Sequence, residues 1–281
     1  MIKLKVDEQA IISHFNTEEA CEQFLFLIKW PEGFLCPRCG HNHSYTIKTR
    51  RIPLYQCRNC RYQTSVITGT IMEGSRTSLR KWLHSIYLVS RMERGINAVQ
   101  LSTLIQVTYK TAWSILRKIR QAITQADDRQ PLSGLIRGGF AVYRPPYCSI
   151  LDLPPQHSPL FAVASLDSDD AVVQLKLKII PSRHMNTASA LPSGHRHFIE
   201  QHVSTEADVI NIETKPFRFP RIALLRKYFR EARSWINKTF NGIGPKYLQN
   251  YLDEYCLRLN TKFQNRHLLH YLTRICLGAP I

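Results

Sequence analysis

Acidic residues are scarce. The 281 residues include 21 Asp and Glu against 38 Lys and Arg, giving a net charge of +17 and a pI near 9.7. Such an excess is large for a soluble chain and implies a polyanionic partner. Long apolar runs are missing too: none approaches the ~20 residues that span a bilayer. Nucleic acid is therefore favoured over a membrane. The opening Met1-Ile2-Lys3-Leu4-Lys5-Val6-Asp7 has no apolar stretch of signal-peptide type, so none is expected. Apolar content itself is ordinary at 44%, which excludes wholesale disorder, and the length suits about two domains.

Against that background one stretch stands out. Cys36-Pro37-Arg38-Cys39-Gly40 and Gln56-Cys57-Arg58-Asn59-Cys60 place two C-x-x-C pairs at the separation of a zinc site. Each pair forms a tight turn that aims two thiolates at one point, and two turns complete a tetrahedron. Gly40 and Asn59 suit such turns because both residue types tolerate positive φ. Four thiolates, from Cys36, Cys39, Cys57 and Cys60, leave no open position, so a structural Zn²⁺ is expected. His14, His41 and His43 lie nearby without a ligand's role. The same stretch carries Arg38, Arg50, Arg51, Arg58 and Arg61 and no acid, which points to phosphate contact over plain solvation. A zinc-binding C-x-x-C pair also fits a reducing compartment, the cytoplasm.

Asn16-Thr17-Glu18-Glu19 predicts a helix start, with a stop before Trp30-Pro31. Cys21 on its apolar face reads as core. Leu54-Tyr55-Gln56 and Gln63-Thr64-Ser65-Val66 read as short strands. From Ser78 the period becomes helical, through Leu79, Trp82, Leu83, Ile86, Tyr87 and Val89. After Glu93-Arg94-Gly95, a short helix over Ile96–Leu104 and a connection Ile105-Gln106-Val107 lead to a helix capped by Thr108. This reads as helix-turn-helix, with an ordinary helical hairpin as the alternative. Tyr109, Lys110, Ser114, Arg117 and Lys118 would face out, and Ala112, Ile115, Leu116 and Ile119 in. Trp113 fits either side.

Asp127 to Pro131 marks a domain boundary. Leu135–Tyr143, Leu160–Ala164 and Ala171–Ile180 read as strands, the last two joined by the turn Asp167-Ser168-Asp169-Asp170. Pro145 to Pro159 is a proline-rich loop. A helix start and a surface loop with His184, His195 and His197 follow, then a short buried strand over Asp208–Ile212. The chain is helical and basic from Arg221, and Lys246–Asn260 closes as an amphipathic helix. Cys148, Cys256 and Cys276 read as buried thiols.

In this order the parts resemble a class of bacterial insertion-sequence DDE transposases with an N-terminal zinc ribbon and a ribonuclease-H-like (ISXO-type) domain. The resemblance runs through Trp30-Pro31-Glu32-Gly33-Phe34, the cysteine pairs, Gly69-Thr70-Ile71-Met72 and Tyr109-Lys110-Thr111-Ala112-Trp113. It ends on Gly244-Pro245-Lys246-Tyr247-Leu248-Gln249-Asn250-Tyr251-Leu252-Asp253-Glu254-Tyr255 with Arg258 and Asn260. It implies a ribonuclease-H-like α/β domain from about residue 132. Such a domain cuts DNA with two Mg²⁺ ions held by Asp and Glu. Here Gly139, beside Arg137, stands at the first acid's position and Ile212 at the second, with Glu213 one place further on. Only Glu231 matches, at the third. Arg233 stands where the family often has Lys. Asp152, Asp167, Asp169, Asp170 and Asp208 fall in segments read as loops or turns.

The expected architecture is α+β and multidomain. Residues 1–72 form the leading helix and zinc ribbon, 73–128 the helix-turn-helix segment and 132–281 a degenerate ribonuclease-H-like domain. The expected function is transposase-type binding of double-stranded DNA with impaired metal-dependent cleavage. Arg38, Arg58, Arg61, Lys110, Arg117 and Lys118 would hold phosphates, and the helix starting at Thr108 would read bases. Two alternatives stand beside it: an active enzyme with substituted acids around Glu231, needing Mg²⁺, and a domesticated DNA-binding regulator. A nucleoid-associated cytoplasmic location and no membrane contact follow from this reading, and a homodimer is compatible with it.

Overall fold

Thr17 starts the first helix by accepting a hydrogen bond from the Ala20 amide at 3.1 Å, and α1 runs Glu18–Lys29. A computed structural model describes residues 15–91, 93–147, 157–186, 189–216 and 223–278. His14, Cys148, Asp152 and Arg221 lie outside these residues. Mixed α and β elements form two units, 1–91 with 98–119 and 269–281, and 92–97 with 120–268. Among the described residues no helix is long and apolar enough to cross a membrane.

In the first unit, β1 (Ser44–Ile47), β2 (Leu54–Cys57) and β3 (Gln63–Thr64) form an antiparallel sheet. Trp30, Phe34 and Tyr55 pack as its small core, and the Tyr55 hydroxyl donates to Glu22 at 2.8 Å. The Glu18 carboxylate accepts from the amides of Leu79 and Arg80, so it caps α2 (Leu79–Arg91). α3 (Ala98–Ile105) and, up to Ile119, α4 (Tyr109–Asp128) follow. The Ile71 amide donates to Cys276 O at 3.1 Å, so α8 (Leu268–Leu277) belongs to this unit through its last residues. Cys21, Cys256 and Cys276 are buried, as read from the sequence.

The second unit is built on a four-stranded sheet of order β6-β5-β4-β7. Its strands are β4 (Leu135–Tyr143), β5 (Ser158–Leu166), β6 (Val172–Ile179) and β7 (Val209–Pro216). β4, β5 and β6 run antiparallel in turn, and β7 is parallel to β4. One face buries Ala162, Leu175 and Leu177 against α6 (Ala223–Phe240) and α7 (Pro245–Phe263); the other buries Ile136, Phe140 and Phe161 against α5 (Pro192–His202). The predicted turn at 167–170 is present: the Asp167 carboxylate accepts from the amides of Asp169 and Ala171. Two expectations change. His195 and His197 sit on helix α5, not on a loop, because Pro192 is tolerated in the first turn of a helix. β7 starts exposed, with Val209 53% and Ile210 39% accessible.

β6 would offer an unpaired edge, and α7 covers it with side-chain amides. Gln249 accepts from Ile179 N at 2.8 Å and donates to Leu177 O at 2.9 Å. Asn260 accepts from Leu175 N at 2.8 Å and donates to Leu175 O at 3.0 Å. Beside this edge lies a buried charge cluster. Lys176 and Lys178 meet Asp127 Oδ2 at 2.6 and 2.8 Å, and Lys178 also meets Asp253 at 3.1 Å. Arg120 and Arg258 share Glu254 at 2.7 Å each.

His202, at the end of α5, is pushed down to about 4 by burial and then by the charges of Lys178 and Lys176. Folding therefore keeps it neutral where the unfolded chain takes up a proton. Its contribution to stability is complete above its ordinary 6.5 and drains away as pH falls towards 4. Asp253, raised by burial to about 6, acts in the opposite sense over nearly the same range. The variant His202→Gln separates the two. The gap in melting temperature should move in the wild type's favour as pH rises from about 4 to 6.5; parallel curves would contradict this.

Candidate metal centre and nucleic-acid interface

The two cysteine pairs form matching knuckles. In the first, Gly40 N donates to Cys36 O at 2.9 Å and Cys36 N to His41 O at 2.9 Å. In the second, Arg61 N donates to Cys57 O at 3.1 Å and Cys57 N to Tyr62 O at 2.9 Å. Folding β2 back on β1 brings the knuckles together, with Ser44 opposite Cys57. The four Sγ atoms lie within 4.8 Å of one another. Cys36–Cys60 and Cys39–Cys57 are each 3.6 Å apart. A tetrahedron with Zn–S of about 2.3 Å has edges of about 3.8 Å, so the set fits zinc. Four sulfurs fill the coordination sphere, so a metal here would be structural.

A backbone hydrogen bond at His41 and then the neighbouring sulfurs bring Cys39 down to about 7. At Cys60 a backbone hydrogen bond at Tyr62 pulls down, but desolvation and the other three sulfurs push it up to about 12. Crowded thiols of this kind bind a cation as thiolates.

The conformational expectation for the second knuckle needs correction. Asn59 is not in the left-handed region; Arg61 is, at φ 60°, matching Gly40 at φ 72°. The residue that closes each turn comes four places after its first cysteine, and that offset was legible in the spacing.

Cations surround the centre. Arg38, Arg58 and Arg61 are exposed, and the Arg58 guanidinium lies 4.6 Å from the centre of the exposed Tyr45 ring. Further along, Thr108 caps α4, accepting from Thr111 N at 3.3 Å. Ala112, Ile115, Leu116 and Ile119 are buried, while Tyr109, Lys110, Ser114 and Arg117 are exposed. Trp113 is half-buried under Arg117, which sits 5.4 Å from its ring. Lys118 is also half-buried; its Nζ donates to Glu73 O at 3.1 Å and lies over Trp82. The turn between α3 and α4 hinges on Gln106, with φ 52°, whose carbonyl accepts from Lys81 at 2.8 Å.

Two of the three expected acid positions, 139 and 212, carry no carboxylate. β4 and β7 pair Gly138 with Ile212 and Gly139 with Glu213. Glu213 therefore shares the face of Gly139, whereas Ile212 is buried in the core beside Phe140. Glu231 is exposed on α6 and accepts from the Tyr255 hydroxyl at 3.3 Å. Arg137 is 37% exposed and pairs with Asp170 at 3.0 Å, so it does not stand in a dry cleft. Among the described residues, only the four cysteines bring three or more metal-ligand side chains together.

Residues 16–63 match the transposase zinc-ribbon domain of the IS1595 type. An uncharacterized protein in the transposable element ISH50 of Halobacterium salinarum is 30% identical over 113 residues, 40% of this chain. The match covers 38% of that relative's length. No solved structure matches the chain. The likeness is therefore to a transposase zinc ribbon over residues 16–63 and to part of a protein carried by a transposable element.

Proposed function

We propose that this protein binds duplex DNA as a member of a transposase family and has lost the metal site that cuts. The observation that carries the reading is the ribbon itself: four convergent thiols in a module matched to transposase ribbons, ringed by arginines. Zinc, when bound, supplies the folding free energy that holds the module in shape. Arg38, Arg58, Arg61, Lys110 and Arg117 then grip phosphates, with Lys118 a weaker contact because its ammonium already serves Glu73. α3 and α4 act as a helix-turn-helix whose second helix reads bases from its exposed N-terminal turns.

The second unit fits a ribonuclease-H-like domain: three antiparallel strands in sequence, with a fourth parallel to the first. Its chemistry needs several carboxylates around two divalent cations. Position 139 is glycine, 212 is a buried isoleucine and Glu231 is bonded to tyrosine, which leaves Glu213 and Glu231 as the acids there, fewer than this reading requires for two divalent cations.

Affinity for a random-sequence duplex should fall on the order of 10³-fold between 50 and 200 mM salt if about six phosphates are neutralised. A flat salt response would favour a protein partner and sink this reading.

A further inference from the structure

Arg61 occupies a position that its twin fills with glycine. Both residues come four places after the first cysteine of their knuckle, both hold left-handed backbone, and both close the same hydrogen bond. An added Cβ at Gly40 would meet nothing within 4 Å, so crowding does not distinguish the sites. The difference is conformational cost, which an L side chain carries there and glycine does not. Nothing in the turn requires arginine. Strain of this kind persists where function keeps it.

Its surroundings point the same way. The second knuckle exposes Arg58 and Asn59 as well as Arg61, while the first exposes Pro37, Arg38 and Gly40. The Arg58 guanidinium lies on the Tyr45 ring of the adjoining strand β1. An arginine fixed in this way loses less side-chain freedom on meeting a phosphate than a free one does.

We propose that the second knuckle and β1 form the face by which the ribbon meets duplex DNA. Arg61 is a phosphate contact kept at the expense of ribbon stability, and Tyr45 is a positioning residue for Arg58. This rests on the DNA-binding reading above and goes further, since it chooses one knuckle and assigns each residue a different signature.

The test uses the full zinc-loaded chain, a random-sequence duplex and a salt series, with zinc release in denaturant as the stability readout. Arg61→Gly should raise resistance to zinc release. Relief of strain is about 5- to 30-fold in the folding equilibrium, partly offset by glycine's greater freedom when unfolded. The same variant should bind DNA several-fold more weakly, with the salt slope reduced by about 0.9. Tyr45→Ala should also weaken binding several-fold but leave the salt slope unchanged, because no charge is removed. Unchanged affinity and slope in Arg61→Gly, or easier zinc release, would overturn the assignment of Arg61. Unchanged affinity in Tyr45→Ala would overturn that of Tyr45. If the wild type itself shows no salt-dependent duplex binding, the underlying functional reading fails instead.

Discussion

Replacing Cys39 with Ser, or stripping zinc with a chelator, is expected to unfold the ribbon and abolish most duplex binding. The module has three short strands and a core centred on Trp30, Phe34 and Tyr55. At about 50 residues such a unit buries too little surface to hold its shape alone. Zinc binding in small modules contributes about 10–16 kcal/mol, more than the whole stability of a typical domain. Without it, the four sulfurs now within 4.8 Å would disperse, carrying Arg58 and Arg61 out of register. The check is far-UV and near-UV circular dichroism together with DNA affinity, before and after chelation. Unchanged spectra and binding would refute it.

Asp127→Ala should cost about 3–5 kcal/mol in the second unit, the range for removing one partner from a buried ion pair. A single carboxylate oxygen takes both Lys176, whose side chain is fully buried, and Lys178, which is 5% exposed. Burial raises the Asp127 carboxyl, but the two lysines outweigh it and hold it below its ordinary range. Losing it removes the carboxylate from Lys176 and leaves its ammonium the neutral carbonyl oxygen of residue 127. Combining Lys176→Met with Asp127→Ala should recover part of the loss, since the uncompensated charge goes as well. Denaturant unfolding of the four chains in a double-mutant cycle measures this coupling. A single-variant loss under about 1 kcal/mol would show that the cluster is better solvated than its burial indicates.

The sequence was most legible where local rules act alone. The Thr108 cap, the inward row Ala112, Ile115, Leu116 and Ile119, and the turn held by Asp167 follow from helix period and side-chain capping. The cluster of four cysteines was readable because spacing alone brings thiols together. Long-range pairing was not readable. Lys176 and Lys178 alternate with Leu175 and Leu177 as solvent-facing residues would, yet they are buried because Asp127 and Asp253 approach from α4 and α7. The pairing of Gly139 with Glu213 depends on the register of two strands about 70 residues apart, which a one-residue slip would alter.

A protein that grips DNA without cutting it gives a distinct result when the zinc-loaded chain is incubated with labelled duplex and Mn²⁺ or Mg²⁺, and bound and broken strands are scored in the same sample. Bound DNA with every strand intact, over hours and at saturating protein, is the expected result. Metal-dependent breaks that vanish in Glu231→Ala would contradict it.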